Sequence, residues 1–154
     1  MKLSMKSDYA LRALFSLAES YGRGPVPIRE LAERNDVPKR FLEHIMLDLS
    51  QKGWVRSVAG RRGGYVLARS PEEITMGGVI RHFEGILAPI GCVSVFGCRH
   101  CSQESVCRFR EVLLEIRNFT ASLADRATLA AVCAGEVFGS GGAGAPELLD
   151  GAGI

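Results

Sequence analysis

Apolar residues recur at helical spacing in three segments near the start of the chain. In residues 9–18 they occupy one face of a helix, and Ser7 with Asp8 offers an N-cap before it. Residues 28–34 form a second, shorter segment that a polar Asn-Asp pair ends. Pro38 opens the third segment. Its apolar positions are Phe41, Leu42, Ile45, Met46 and Leu49. This order of helices predicts a helix-turn-helix after a first helix.

Two short β-prone runs, residues 54–58 and 65–68, follow the third helical segment. Residues 59–64 between them read Ala-Gly-Arg-Arg-Gly-Gly, which predicts a hairpin with a flexible, basic tip. A basic hairpin placed directly after a helix-turn-helix is typical of a wing. The first half of the chain is therefore predicted to be a winged helix.

The second half of the chain carries two further helical patterns. The first begins at Ser70 and Pro71. Its apolar face is Ile74, Val79, Ile80 and Phe83. From Phe109 to Val132 apolar residues keep spacings near three and four, which predicts one long helix with Cys133 in the core at its end. The spare apolar face of this helix indicates pairing with a second copy in a homodimer, and the alternative is that it covers its own domain.

These patterns predict a mainly α protein with a small β wing, in which a winged helix-turn-helix domain is joined to a long dimerisation helix. Residues 1–88 are assigned to the DNA-binding region, and residues 89–108 to a cysteine-rich loop. Residues 109–134 are assigned to the dimerisation helix. The glycine-rich residues 135–154 have little to bury and are predicted to be a disordered tail.

The composition of the 154 residues is that of a globular protein, with 47% hydrophobic and 23% charged residues. The net charge of +2 is too small to indicate a polyanionic partner, so any basic function depends on local patterning. The N-terminal residues do not read as a signal peptide, and no run of about 18 apolar residues predicts a membrane span. The expected location is the cytoplasm, where thiols stay reduced.

Four cysteines, Cys92, Cys98, Cys101 and Cys107, fall within sixteen residues. Thiolates are soft ligands, and a short loop can place several of them around one centre at small entropic cost. An iron–sulfur cluster is one hypothesis, and zinc is the alternative because four thiolates also suit a tetrahedral site. Disulfides and inert buried thiols are the other interpretations, and a reducing compartment disfavours the first of them.

The third helix begins with residues suited to base recognition. The second helix of a helix-turn-helix lies in the major groove with its N-terminal residues at the base edges. Lys39, Arg40 and Glu43 occupy that end. Arginine can bind guanine O6 and N7, and glutamate can accept from cytosine N4. The alternative is that these residues form a solvated helix face, and His44 is expected to point away from DNA.

Four arginines lie on or beside the predicted hairpin. Arg61 and Arg62 stand between glycines at its tip, where the backbone can approach a narrow minor groove closely. Arg56 and Arg69 flank the hairpin and are predicted to contact phosphates.

Several short sequence motifs resemble those of one known family. Residues 8–14 read Asp-Tyr-Ala-Leu-Arg-Ala-Leu, residues 41–43 read Phe-Leu-Glu, and residues 60–65 read Gly-Arg-Arg-Gly-Gly-Tyr. With the cysteine loop and long helix that follow, the chain resembles the IscR/NsrR family of iron–sulfur winged-helix transcription regulators, in the Rrf2 superfamily. The resemblance covers about residues 1–132. It implies a homodimer that binds a double-stranded DNA operator, as repressor or activator, with an affinity set by its cluster.

The resemblance also implies a ligand set. The family uses three cysteines, the last two separated by five residues, and Cys92, Cys101 and Cys107 fit that pattern with Cys98 as an extra cysteine. The cluster would be 4Fe-4S or 2Fe-2S.

Two residues compete for the fourth ligand position. In the IscR branch the fourth ligand is a histidine, but that position is Arg110 here, which cannot act as a neutral ligand. In the NsrR branch it is an aspartate of the partner subunit, and Asp8 stands at the matching position. Cys98 is the favoured candidate because thiolate is softer and lies in the same loop, while Asp8 is the alternative and also suits an N-cap.

The leading hypothesis is a DNA-binding regulator, most simply a repressor, whose cluster responds to redox state, nitric oxide or iron supply. The alternatives are a zinc-braced or cluster-free regulator, and a thiol oxidoreductase using Cys98 and Cys101. The oxidoreductase is disfavoured because no βαβ context surrounds these cysteines. The protein is therefore predicted not to be an enzyme.

Overall fold

The computed structural model describes residues 3–85, 88–94 and 100–136 of the chain. The predictions for Cys98 and for nearly all of the tail lie outside the described residues. The helices are α1 (Met5–Glu19), α2 (Ile28–Asn35), α3 (Lys39–Gln51), α4 (Met76–Glu84), α5 (Arg110–Arg126) and α6 (Leu129–Cys133). The strands are β1 (Val55–Val58) and β2 (Gly64–Leu67), and short 3-10 turns span Gly91–Val93 and Glu104–Val106. None of the described helices is long and apolar enough to cross a bilayer.

Helix α1 lies at the centre of the fold and contacts α2, α3, α4, α6 and β2. It begins earlier than the sequence indicates, because the side chain of Ser4 accepts a hydrogen bond from the Ser7 N–H at 3.3 Å and caps the helix. The predicted N-cap role of Ser7 and Asp8 is therefore wrong. Ser7 is fully buried, and Asp8 pairs with Arg12 one turn further along α1.

The helix-turn-helix has the predicted limits. Helix α2 ends at Asp36, which takes the left-handed conformation at φ 52° and donates its N–H to the Ala32 and Glu33 carbonyls. Pro38 then sets the start of α3, where its missing N–H costs no helical hydrogen bond. Helix α3 packs its predicted apolar face inward. The buried residues of that face are Leu42, Ile45, Met46 and Leu49.

The predicted hairpin is also present. Strands β1 and β2 are antiparallel, with Val55 opposite Leu67 and Val58 opposite Gly64. Tyr65 exchanges two backbone hydrogen bonds with Val26, at 2.9 and 3.0 Å, which fixes the hairpin to the segment before α2. A Cβ at Gly64 would lie 2.2 Å from the Val26 carbonyl oxygen, so this close approach requires glycine.

Helix α4 begins later than predicted. Thr75 caps it by accepting a hydrogen bond from the Gly78 N–H at 3.0 Å, and the segment from Ser70 to Ile74 is not helical. The carbonyls of Pro71 and Ile74 instead accept hydrogen bonds from the Ala130 and Leu129 N–H groups of α6. Ile74 still belongs to the core, where it is 1% exposed.

The single long helix predicted over residues 109–132 is wrong, because the chain breaks between α5 and α6. Backbone hydrogen bonds join the Met76 N–H to the Ala127 carbonyl at 2.8 Å, and the Leu129 N–H to the Ile74 carbonyl at 2.9 Å. This break turns Leu129 into the core, where it is fully buried. Cys133, expected in the core, is exposed at the end of α6.

We call the body formed by α1–α4, the hairpin and α6 the head. Helix α5 has no buried residue, whereas the other five helices all contribute to the core. The largest fully buried side chains of the head are Leu14, Leu17, Leu31, Leu42, Ile45, Met46, Leu49, Val55, Ile74, Val79 and Leu129. Helix α5 packs along α4 and the first 3-10 turn.

Candidate DNA interface and cysteine loop

The outward face of α3 is opposite the four residues that it buries. At about 100° per residue, the positions on that face are separated by three or four residues and form one stripe. All members of the stripe are exposed. They are Arg40, His44, Leu47 and Gln51. The predicted residue Arg40 is thus on the outward face. His44, which was expected to point away from DNA, lies on the same face as Arg40, and the structure adds Leu47, which the sequence interpretation did not assign to this face.

Lys39 and Glu43 lie beside this stripe at the start of α3. The Lys39 Nζ is 3.6 Å from Glu43 Oε1, and the side chains are 56% and 45% exposed. An exposed pair of this kind contributes little to stability and can be separated at low cost. Both side chains therefore remain accessible to a ligand that approaches the outward face.

The four predicted arginines of the hairpin are all exposed. Arg61 and Arg62 lie at the tip, after Gly60, whose φ of 113° is rarely adopted by other residues. Arg56 lies on β1, and Arg69 follows β2. Within the described part of the chain none of the four forms an ion pair. The hairpin therefore presents uncompensated positive charge.

The cysteine loop brings three of its four predicted ligands to one cavity. Cys92, Cys101 and Cys107 line a cavity of about 490 Å³, which opens at the start of α5. Its apolar walls are Ile90, Val106 and Phe109. Cys98, the fourth predicted ligand, is outside the described residues.

The donor set of this cavity fits an iron–sulfur cluster. Thiolates are the usual cluster ligands, and an apolar surround limits access of water. Among residues 3–85, 88–94 and 100–136, no three His, Cys, Asp or Glu side chains are close enough to hold a single metal ion.

Two arginines connect the cysteine loop to α5. Arg110 Nη2 is 2.7 Å from Glu104 Oε1 on the second 3-10 turn. Arg117 Nη1 donates to the Val93 carbonyl on the first turn, at 2.8 Å. Both halves of the loop are therefore held by the same helix.

Arg110 also has a buried Nε that finds no hydrogen-bond acceptor in the described part of the chain. A buried N–H without an acceptor is costly, and a guanidinium can donate to sulfur although it cannot ligate a metal. This donor lies three residues after Cys107, at the first residue of α5.

Asp8, the alternative fourth ligand, is engaged within its own chain. Its Oδ2 is 2.8 Å from Arg12 Nη2. The hydrogen bond and charge of Asp8 raise the pKa of Arg12. To ligate an iron of a partner subunit, Asp8 would have to leave or share this contact.

An apolar stripe runs along the outer face of α5. Its members lie at spacings of three and four residues, opposite the face that packs on α4. They are Phe109 (62% exposed), Val112 (60%), Ile116 (47%) and Phe119 (67%). On the inner face, a Cβ at Gly77 of α4 would lie 3.1 Å from backbone atoms of Ala124 and Asp125, so the two helices are in close contact there.

A family model and known proteins match this chain over most of the architecture described above. A family model described as Rrf2, iron-dependent transcriptional regulator, matches residues 3–135. The chain is 40% identical over 120 residues to the rrf2-like HTH-type transcriptional regulator of Rhodobacter capsulatus, covering 74% of this chain and 80% of that protein.

Solved structures show the same fold. The structure of CymR, the global cysteine regulator of B. subtilis, has a TM-score of 0.76 at 29% identity, over 89% of this chain and 99% of that chain. The structure of T. potens IscR has a TM-score of 0.70 at 29% identity and covers 94% of each chain. The predicted winged-helix fold and family resemblance are confirmed. The chain belongs to the Rrf2 family, and it is a DNA-binding transcriptional regulator of the helix-turn-helix type and not an enzyme.

Proposed function

We propose that this regulator binds its operator with an affinity controlled by an iron–sulfur cluster, and that Cys92, Cys101 and Cys107 hold the cluster. The observation that carries the proposal is the convergence of these three cysteines on one apolar-walled cavity. The likeness to T. potens IscR and the iron-dependent description of the family support it. The cluster would be 4Fe-4S or 2Fe-2S, and it would supply a centre that changes charge or is lost under oxidants, nitric oxide or iron shortage.

The fourth ligand is Cys98 or Asp8. Cys98 would complete an all-thiolate site within one loop, whereas Asp8 would come from the partner subunit and would have to leave or share its contact with Arg12. Arg110 would donate its unpaired Nε–H toward the sulfur atoms and so favour the reduced, more negative cluster.

The operator would be bound by a homodimer in which the apolar stripes of two α5 helices pack together. The exposed stripe is the apolar surface that a partner would cover, since α5 buries no residue within its own chain. In each head α3 would enter the major groove with Lys39, Arg40 and Glu43 near base edges.

The hairpin would add a second contact with the same DNA. Arg61 and Arg62 would enter the adjacent minor groove, while Arg56 and Arg69 would contact phosphates.

The cysteine loop is placed to transmit the state of the cluster to the heads. Arg110 and Arg117 fix the loop to α5, and α5 in turn packs on α4 of the head. A change in the loop would alter the angle of α5 and therefore the spacing of the two heads on the operator. Repression by the cluster-bound dimer is the simplest form of this control.

A second candidate is a cluster-free regulator that uses the same cavity. The likeness to CymR, described as a global cysteine regulator, favours it. Anaerobic purification separates the candidates. A brown protein with iron and sulfide in stoichiometric amounts supports the cluster, whereas a colourless protein that binds its operator with the same affinity in air and without iron contradicts it. A colourless protein with one zinc per chain would instead indicate a braced loop.

A further inference from the structure

Leu47 is a large apolar side chain on the outward face of α3. It is 55% exposed, and it is on the same stripe as Arg40 and His44. Single exposed leucines are common on protein surfaces. This one is distinguished by its place, because the residues on either side of it in the stripe are polar and the whole stripe is opposite the core.

The position of Leu47 along the helix matches the interior of a recognition surface. It lies seven residues after Arg40 on the same face, which is about 10 Å along the helix axis. That distance corresponds to about three base pairs of DNA. If Arg40 meets one base edge, Leu47 meets an edge a few base pairs away.

A leucine side chain has no hydrogen-bonding group, so it can read only an apolar feature of a base. In the major groove the apolar feature is the C5-methyl group of thymine. We propose that Leu47 contacts a thymine methyl in each operator half-site and gives this regulator a preference for thymine there. The proposal rests on the placement of α3 in the major groove.

The charges around Leu47 favour DNA over a protein partner as its occupant. Arg40 is exposed on the same stripe, and the four uncompensated arginines of the hairpin belong to the same head. A surface of this charge attracts the phosphate backbone and would repel a partner of similar charge.

Replacement of thymine by deoxyuridine tests the contact because it removes the methyl group and leaves every hydrogen-bonding atom in place. The operator is first obtained by selection from random DNA with the wild-type protein. Each thymine is then replaced in turn, and affinities are measured at one salt concentration. We expect a loss of about three- to fivefold at one thymine per half-site, as for the burial of one methyl group.

The same replacements are then made with Leu47→Ala and with Gln51→Ala. Leu47→Ala should bind the thymine and uracil operators equally, because its side chain is too short to reach the methyl. Gln51→Ala alters the same face and should keep the wild-type penalty. Circular dichroism checks that both variants retain the helical fold.

Two results would overturn the proposal. If every deoxyuridine replacement affects wild type and Leu47→Ala equally, Leu47 does not read thymine although α3 can still lie in the groove. If the wild-type protein selects no operator at all, the placement of α3 fails as well.

Discussion

The Ser7 hydroxyl donates a hydrogen bond to the carboxylate of Glu84, linking the first turn of α1 to the last residue of α4. The Ser4 N–H donates to the same carboxylate at 2.9 Å. These hydrogen bonds from Ser4 and Ser7 lower the pKa of Glu84. Because Glu84 is the last residue of α4, its carboxylate fixes the end of α4 to the central helix of the head.

Glu84→Gln should destabilise the head at neutral pH. The amide keeps the shape but loses the charge, and for a partly exposed group we expect a loss of about 1 kcal/mol in the free energy of unfolding. Because folding lowers the pKa of Glu84, its ionised carboxylate stabilises the head at pH values above its ordinary pKa of 4.5. That stability is lost as the pH falls through the folded-state pKa. The wild type should therefore lose stability more steeply on acidification than Glu84→Gln.

Urea unfolding followed at about pH 7 and at lower pH measures both effects. Glu72→Gln is the matched control, since Glu72 is exposed and its carboxylate has no hydrogen bond or ion pair in the described residues. Equal acid dependence of Glu84→Gln and wild type would contradict the role of the Ser7–Glu84 hydrogen bond.

Cys92→Ala, Cys101→Ala and Cys107→Ala should each abolish the visible absorption of the anaerobically purified protein, because each removes one thiolate of the proposed site. Cys133→Ala is the control and should keep the colour, since Cys133 is exposed at the end of α6 and does not line the cavity. Iron and sulfide analysis gives the cluster content. Full cluster content in any of the three loop variants would remove that cysteine from the ligand set.

The fourth ligand can be identified by comparing Cys98→Ala with Asp8→Ala. An all-cysteine site predicts that only Cys98→Ala loses the cluster, and a site shared between subunits predicts that only Asp8→Ala does. Arg12→Ala is the control for Asp8, because it removes the same ion pair and keeps the carboxylate. If Arg12→Ala and Asp8→Ala lose the cluster equally, the effect belongs to the ion pair rather than to ligation.

Charged residues on the α5 stripe should separate the proposed dimer. We expect sedimentation to show about twice 16.6 kDa for wild type and a monomer for the double variant Val112→Asp with Phe119→Asp, because both side chains are largely exposed within one chain. Asn118→Asp adds charge to the same helix at an exposed position that is not three or four residues from any member of the stripe, and it should remain dimeric. A wild-type monomer at micromolar concentration under reducing conditions would contradict the stripe as an interface.

The hairpin and α3 should contribute separably to DNA binding. Replacing Arg61 and Arg62 by Ala should weaken binding to most sequences and reduce the salt dependence by about one ion for each lost contact. Glu43→Ala should instead relax preference at one or two operator positions, by about 1–3 kcal/mol per base pair, with little change in salt dependence. Recovery of an identical selected motif by Glu43→Ala would show that Glu43 does not read bases.

Local signals were sufficient to predict the helix-turn-helix and the hairpin. Pro38 fixes its own φ, Gly60 permits the positive φ of the hairpin tip, and the apolar face of α3 follows from its spacing. That same face implies an outward stripe, so His44 and Leu47 could have been found by assigning the polar side of the helix as carefully as the apolar side.

The break between α5 and α6 had one local signal that the sequence interpretation did not use, Thr128, whose side chain accepts a hydrogen bond from the Ala131 N–H at 3.1 Å and caps α6. Leu129 and Val132 continue the apolar spacing of α5, so the sequence pattern passes through the break without change. The break is fixed by backbone hydrogen bonds to residues 74 and 76 and by a core position for Leu129. The predicted N-cap of α1 was wrong for a similar reason, because the Ser7 hydroxyl donates a hydrogen bond to the carboxylate of Glu84, 77 residues away.

The burial of Leu129 has a consequence for the order in which the protein is completed during synthesis. Helix α6 is the last described helix, yet it packs on α1, the first. A chain that emerges from the ribosome N-terminus first cannot close this core until α6 has been made. Contacts between such distant segments also carry a large loop-closure entropy and slow folding. The head that would read DNA is therefore completed only after the cysteine loop and α5 have been synthesised, and a nascent chain without them lacks part of its core.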